Sequence, residues 1–513
     1  MKIKDTKLKD WYLIAILAFL GLFYRICFLG YPSLWIDEAF SVNAAQAILQ
    51  HGYPLLDSGI VYSRDLLSTY LIAFFMSIFG ESHFGARFAS VIFGTLMIPL
   101  AYYFGRELGN RKVGILAALF VTFSVWEIAW SRQARMYQQL QFFYFLSLIL
   151  FYKFVNNGKP RYFFLTALFT ALAILSHSLG YTLLLVYLIY LAVVNIKSLT
   201  NKDFWNLVIS GLKQKIRDYY GKNKILFLLG SFLLLSSTVF IIHSAYSSYA
   251  EFPDVDTDYL EQYAFYLKNV HFLLYYFAIV GAIISLKNFR IGFLLILGYL
   301  VPFFFVTKIV WLLHFRYIYF VLPLLFVLAS YSILYLIDFT LHLGKYGKVA
   351  AFGIALMLGL AIFTDDFVFI PQKEYNLESG TPQPNFAKAY SYIRSKIQPS
   401  DIIISGFPAV DKYYLQKADY WIAFSLTGLK SSNYYLDKSI VSEKYANATI
   451  LRNASELQAI TQNSSGWVIL DNLAWRRIDD SFKDYISHNL TFHQDASERK
   501  DVWSGIRVYS WGS

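Results

Sequence analysis

The chain is divided into apolar runs of about 17–22 residues, each long enough to cross a ~30 Å hydrocarbon core as a helix, and this limits the possible fold more than any other feature. Hydrophobic residues make up 57% of the chain and charged residues 15%, against roughly 45–50% and about 25% in soluble domains. A single soluble globule, a disordered chain and a secreted disulfide scaffold are thereby excluded. Cys27 is the sole cysteine, so no internal disulfide can form. The net charge of +11 is read as basic residues gathered in cytoplasmic loops rather than as a nucleic-acid footprint.

The basic start MKIKDTKLKD precedes an apolar run from Trp11 to Leu29. That run is too long for a signal-peptide core and no small-residue cleavage site follows, so it is read as an uncleaved first span starting in the cytoplasm. Further spans are expected near 87–105, 113–130, 138–155, 161–176, 180–196, 224–243, 269–286, 291–307, 314–337 and 347–365. The stretch 66–80 is shorter, carries Ser68, Thr69 and Ser77, and either crosses or lies flat. If it lies flat, Arg106, Arg111, Lys112, Lys159, Arg161, Lys287, Arg290, Lys345, Lys348 and the basic segment 197–224 all face the cytoplasm. If it crosses, all of them are turned outside, against the positive-inside rule. The expectation is therefore an α-helical polytopic membrane protein of about eleven spans, with an interfacial helix at 66–80.

This topology divides the chain into a transmembrane domain, 1–365, with 30–86 as its first outer loop, and a soluble extracytoplasmic α/β domain, 366–513. In the latter, 400–406 and 466–472 read as short buried strands and 385–396 as a helix. Four N-x-S/T sequons, at Asn447, Asn453, Asn463 and Asn489, fall on the same outer side.

The few ionisable residues of the outward loops are candidates for function, because such groups at a membrane surface are costly. The first outer loop opens with YPSLWIDEAF. Asp37 and Glu38 point about 100° apart if helical, so they suit different tasks: one a base, the other orienting a cation or substrate. The alternative is a cap for the helix 38–50. Arg64, in YSRD, either holds a phosphate with its planar fork or snorkels toward headgroups. Arg132 and Arg135, in WSRQARMYQQ, are i,i+3 neighbours suited to a lipid-linked phosphate or to headgroups. Glu127, just before them, is an expected partner for an arginine. His177, in LSHSLGY, is either a hydrogen-bonded structural residue or a ligand-facing one. The acidic, aromatic loop 244–268 has the composition of a lid or sugar-binding loop. Its Asp254, Asp256 and Asp258 lack the glycine and distal glutamate of a calcium loop, and no metal site is assigned. Arg316, in LLHFRYIYF, requires an anionic partner if buried at the start of a span. No P-loop, G-x-G-x-x-G, G-x-S-x-G or H-E-x-x-H motif occurs, and no cofactor is expected.

The order LWIDEAF, then FGESHFGARFASVIFGTLMIPLAYYFGRELGNRKVGILAALF, then SRQARMYQQLQFF, LSHSLGY and FRYIYFVLP resembles the GT-C-type membrane glycosyltransferases. The nearest branch is the protein O-mannosyltransferase and aminoarabinose (lipid A) transferase-like group, and the resemblance covers about residues 10–340. It implies transfer of a sugar from a polyprenyl-phosphate carrier, dolichyl or undecaprenyl, to a hydroxyl on the outer face of the membrane. The acceptor is a glycan, lipid or protein. The resemblance puts the catalytic acid at Asp37 with Glu38 beside it, and the donor phosphate on Arg64 and Arg316; the need for cations at a leaving phosphate adds Arg135. Arg132, Tyr137, His177 and Tyr317 are the accompanying substrate-binding residues. Where many relatives have a Lys-Pro-Pro-Leu type segment, this chain reads Ser63-Arg64-Asp65-Leu66, which keeps the charge and loses both prolines. The Trp-Trp-Asp motif of oligosaccharyltransferases is absent.

The chemistry suits these residues. A lipid phosphate leaves readily once cations neutralise it, and a carboxylate takes the proton of the attacking hydroxyl. A single displacement inverts the anomeric centre. A transporter or lipid flippase is the alternative, but it calls for midplane charges and matched, broken-helix halves, whereas here the charges gather at the outer surface. A membrane-anchored binding protein acting through 366–513 leaves the polar residues of the first outer loop unexplained.

Overall fold

The computed structural model describes residues 2–194, 258–310, 313–364, 367–375, 384–422, 434–436, 441–497 and 505–512. The expected span 224–243, the basic segment 197–224, and Asp254 and Asp256 lie outside the described residues.

The protein is a mostly helical membrane protein with a small C-terminal sheet domain. Among the described residues three helices are long and apolar enough to cross a membrane: His83–Leu108, Phe272–Lys308 taken as one stretch, and Leu322–Leu341. Shorter apolar helices cover Leu66–Phe79, Pro160–Ser176, Ser178–Val194 and Gly347–Ile362. In chain order the helices before the undescribed stretch are α1 (Lys2–Ile26), α2 (Ile36–His51), α3 (Leu66–Phe79), α4 (His83–Leu108), α5 (Arg111–Phe123), α6 (Val125–Trp130), α7 (Tyr137–Asn157), α8 (Pro160–Ser176) and α9 (Thr182–Val194). After it come α10 (Leu260–Val270), α11 (Phe272–Ser285), α12 (Phe289–Lys308), α13 (Arg316–Tyr319), α14 (Leu322–Leu341) and α15 (Gly347–Thr364).

Two expected spans are broken. The run 113–130 leaves helical geometry at Ser124, whose backbone is extended (φ −60°, ψ 126°). Apolar composition favours burial along this whole run and does not encode the break. The freed Phe123 carbonyl accepts the Val368 N–H at 2.9 Å, and Ser124 Oγ accepts the Glu127 N–H at 3.4 Å to start the next helix. Backbone groups released inside a membrane protein must be re-satisfied by protein in this way. The run 314–337 likewise divides into α13 and α14, with Pro323 in the first turn of the second helix, where a missing N–H costs nothing.

The chain forms two compact units. The first comprises Met1–Gly21, Phe93–Glu127 and Tyr137–Phe369. Within it α11 lies directly against α14: a Cβ built on Gly281 would stand 2.0 Å from the Leu328 carbonyl oxygen. Small residues at such contacts let helix backbones approach where no hydrophobic drive separates protein from lipid.

The second unit comprises Leu22–Ile92, Ile128–Met136 and Ile370–Ser513. Its sheet contains β1 (Ile402–Ser405), β2 (Tyr420–Ile422), β3 (Tyr434–Leu436), β4 (Val441–Glu443), β5 (Thr449–Leu451), β6 (Gly466–Asp471), β7 (Thr491–Phe492) and β8 (Ile506–Trp511). The order is β3-β4-β5-β2-β1-β6-β8-β7, with β5, β2, β1 and β6 parallel and the outer strands antiparallel. Both expected strands are present, as is the expected helix, α16 (Phe386–Arg394). Side chains alternate across the sheet: Ile403, Trp467, Ile469 and Val508 join one core, and Ile404, Val468, Leu470 and Tyr509 the other. The first of these cores continues into Leu34, Ala39, Val42 and Ala45 of the first loop and Ile72, Ala73 and Met76 of α3. Further docking comes from α17 (Pro408–Leu415): the Asn43 side-chain amide donates to the Ala409 carbonyl at 2.8 Å, and Lys412 pairs with Asp57 at 2.6 Å. The sheet and the first loop are thus one folded body.

Candidate active site

The second unit is organised around an ion pair that the sequence reading did not anticipate. Arg87 of α4 and Glu38 of α2 are 1% and 0% exposed. Arg87 donates from Nε to Glu38 Oε1 at 2.8 Å and from Nη2 to Oε2 at 2.7 Å. Its other donors go to the carbonyls of Leu29, Pro32 and Ser33 at 2.9–3.0 Å. Glu38 also accepts the Ala134 N–H of the second loop at 2.6 Å and the Trp35 N–H at 3.4 Å. A buried carboxylate is tolerable only with this degree of pairing. Glu38 therefore caps α2 and ties the two loops together. Of the two adjacent acids Glu38 is the one that orients a cation, Arg87, and its carboxylate oxygens accept from Arg87, Ala134 and Trp35.

Asp37, one residue earlier, points elsewhere. Its side chain is 23% exposed, and its Oδ2 lies 3.9 Å from Arg135 Nη2. Arg135, in the second loop, donates from Nη1 to the Asp37 carbonyl at 2.9 Å and to Ser41 Oγ at 2.6 Å. Tyr62 also hydrogen-bonds Arg135, and burial pushes its phenol up to about 12, with Arg135 acting in the opposite direction. Arg64 is exposed, and among the described residues its guanidinium makes no hydrogen bond or ion pair. Next to it Asp65 begins α3 in left-handed backbone geometry (φ 53°, ψ 40°), a conformation that Asp tolerates better than most residues. Burial pushes the Asp65 carboxyl up to about 6; Arg135 and Arg64 pull it down, and Asp37 pushes it up. One body thus gathers Asp37, Arg64, Asp65 and Arg135 from two loops.

Arg132 has partners different from those of Arg135. It is 3% exposed and donates to the carbonyls of Gln372 (2.9 Å), Phe28 (2.9 Å) and Lys373 (3.2 Å). Its guanidinium lies 4.8 Å from the centroid of the Tyr375 ring. Burial brings its pKa down to about 10. Arg132 fastens the chain leading into the C-terminal domain.

The remaining candidates form a cluster in the first unit. The rings of Tyr137 and His177 are 5.6 Å apart, Tyr137 and Tyr317 6.5 Å, and His177 and Tyr317 6.1 Å. Arg316 lies 5.8 Å from the Tyr317 ring. Nearby in sequence, buried Glu127 accepts from Gln141 at 3.0 Å and from the Tyr319 hydroxyl at 3.1 Å. Asp258 pairs with Lys308 at 2.6 Å.

Residues 63–212 match the sequence profile of the family described as dolichyl-phosphate-mannose-protein mannosyltransferase. An uncharacterized protein of Aquifex aeolicus is 27% identical over 174 residues, 33% of this chain and 34% of the relative. The undecaprenyl phosphate-alpha-4-amino-4-deoxy-L-arabinose arabinosyl transferase of Pseudomonas aeruginosa is 32% identical over 161 residues, 30% of this chain and 29% of the relative. The aligned region therefore spans about a third of the length of these relatives. Among solved structures, ArnT from Cupriavidus metallidurans bound to undecaprenyl phosphate matches with a TM-score of 0.59 at 12% identity, covering 97% of both chains. The archaeal oligosaccharyltransferase AglB from Archaeoglobus fulgidus, in complex with an inhibitory peptide and a dolichol-phosphate, matches with a TM-score of 0.54 at 12% identity, over 95% of this chain and 73% of that one. The fold is that of the GT-C-type membrane glycosyltransferases. The resemblance read from the sequence, to the aminoarabinose transferase-like group within them, is borne out.

Two outcomes follow from this geometry. Glu38→Ala strands Arg87 in the interior and is expected to cost about 3–5 kcal/mol, read as a fall in the thermal unfolding midpoint in detergent; a Glu38→Gln variant that unfolds like wild type yet abolishes turnover would return Glu38 to a catalytic role. Asp65 becomes neutral as pH falls through about 6 and then stops competing for the arginines. Affinity for a lipid phosphodiester, which stays singly charged, is expected to rise between pH 7 and 5.5, and Asp65→Asn is expected to make it high and flat across that range.

Proposed function

We propose that the protein is a glycosyltransferase that moves a sugar from a polyprenyl-phosphate donor to an acceptor hydroxyl at the outer face of the membrane. The observation that carries this reading is a partly exposed acid, Asp37, held beside Arg135, with the exposed Arg64 in the same first loop, in a chain with the GT-C fold. Asp37 acts as the base. The acceptor oxygen bonds to the anomeric carbon, its proton passes to the Asp37 carboxylate, and the bond from that carbon to the phosphate oxygen breaks. Polyprenyl phosphate leaves as an anion stabilised by Arg64 and Arg135. Arg64 suits this task because it is exposed and, among the described residues, its guanidinium makes no hydrogen bond or ion pair. A single displacement inverts the anomeric centre. Arg316, with Tyr317, His177 and Tyr137, is proposed as a further substrate-binding group on the strength of the sequence resemblance and the convergence of its rings.

The membrane orientation belongs to the same reading. An N-terminus in the cytoplasm puts the loop at 156–160 inside and the sheet domain outside, in keeping with the distribution of Lys and Arg.

Purified protein with a panel of polyprenyl-phosphate sugars and simple hydroxyl acceptors tests the chemistry. Release of free polyprenyl phosphate from one donor, lost at least about a hundred-fold in Asp37→Asn, is expected; undiminished release in Asp37→Asn would move the base elsewhere. For orientation, single cysteines replace the exposed Asn157 or Asp484 in a Cys27→Ser background. A membrane-impermeant thiol reagent is expected to label the second in intact cells and the first only after permeabilisation, and the reverse pattern would contradict the topology.

A further inference from the structure

The C-terminal domain reaches the candidate site through one turn. Strands β4 and β5 pair antiparallel, with Ser442 opposite Thr449, and the chain between them is tied by hydrogen bonds. The Glu443 carboxylate is 7% exposed and accepts the N–H groups of Ala446, at 2.6 Å, and of Tyr445. The Asn447 N–H returns to the Glu443 carbonyl at 3.0 Å and the Glu443 N–H goes to Ala448 at 2.8 Å, with Asn447 in the left-handed region (φ 57°). The Ser58 hydroxyl of the first loop bonds the Lys444 carbonyl.

This turn presents Tyr445, a half-buried ring, to the first loop. Its centroid is 4.1 Å from that of Phe40 and 6.3 Å from that of Tyr62. Phe40 stands three residues after Asp37 on α2 and so lies on the same helix face. Tyr62 stands two residues before Arg64 and hydrogen-bonds Arg135. The phenol is flanked by charges of both signs: after burial, its ionisation responds to Arg64, Glu443, Asp37 and Arg135. In a displacement of lipid phosphate by a hydroxyl, the sugar ring lies beside both the cations that hold the phosphate and the base that serves the acceptor. Tyr445 packs on Phe40, which shares a helix face with Asp37, and stands near Tyr62, which hydrogen-bonds Arg135.

We propose that Tyr445 is a substrate-contacting residue of this site, its ring and hydroxyl forming the wall against which the glycosyl group of the lipid-phosphate donor is held, so that the C-terminal domain completes the site. This inference rests on the transferase reading above. Sugars expose C–H faces that pack on aromatic rings and hydroxyls that bond a phenol, so one tyrosine serves both needs.

The test uses the full-length protein in detergent and two readouts: KM for the glycosylated donor, and affinity for polyprenyl phosphate without a sugar. Tyr445→Ala is expected to raise the donor KM about ten-fold or more while leaving the affinity for the bare lipid phosphate unchanged. Tyr445→Phe keeps the ring and is expected to recover most of that loss. Lys412→Ala removes the ion pair to Asp57 without touching the ring and is expected to behave as wild type. The inference is overturned if Tyr445→Ala matches wild type in both readouts while Asp37→Asn is inactive. It is also overturned if both affinities and the thermal midpoint fall together, or if Lys412→Ala reproduces the effect, since each marks a docking contact alone. A wild-type protein that turns over no donor in the panel overturns the transferase reading itself, and this inference with it.

Discussion

The second unit depends on one buried ion pair. The Arg87 guanidinium spends its donors on the Glu38 carboxylate and on three carbonyls of the chain between α1 and α2. Glu38 in turn accepts the Ala134 N–H of the second loop. One contact thus sets where the first helix ends, how α2 begins and where the second loop lies. Removing either partner leaves an uncompensated charge in the interior. The surrounding geometry is correspondingly determined: Asp37 is placed beside Arg135 because Glu38 can adopt only one position.

That constraint separates two acids that are adjacent in sequence. Neighbouring helical side chains diverge by about 100°, so a fully buried Glu38 turns Asp37 toward the loop carrying Arg135 and the residues around Arg64. The arginines are sorted by a similar accounting of donors. Arg132 gives three hydrogen bonds to the carbonyls of Phe28, Gln372 and Lys373. Arg135 is partly engaged with Asp37 and Ser41. Arg64 makes no hydrogen bond or ion pair among the described residues. Affinity for an anionic ligand follows from donors left over, so equal formal charge does not mean equal function. Asp65, raised toward neutrality among these groups, makes the cluster responsive to mild acid.

Much of this was legible in the sequence, because hydropathy and periodicity are local. Membrane-length runs foretold most of the described helices, and the runs at 400–406 and 466–472 became adjacent parallel strands. The first outer loop was recognisable as the place to look for chemistry from Asp37 and Arg64. What escaped notice is non-local. Arg87 sits in an apolar helix 49 residues from its partner, and nothing around it signals an ion pair. The break at Ser124 depends on Val368 supplying an N–H, and Tyr445 meets Phe40 only because the sheet domain packs on α2. Arg132 and Arg135 looked equivalent because their i,i+3 spacing says nothing of which carbonyls lie nearby.

The most direct measurement is an electron cryomicroscopy structure of the full chain with a non-hydrolysable lipid-phosphate sugar analogue. The phosphate is expected within hydrogen-bond distance of Arg64 and Arg135, with the Asp37 carboxylate within reach of the position from which an acceptor hydroxyl attacks the anomeric carbon and the Glu38–Arg87 pair unchanged. A phosphate bound away from both arginines, or an Asp37 carboxylate turned from the sugar, would contradict the assignment of this site.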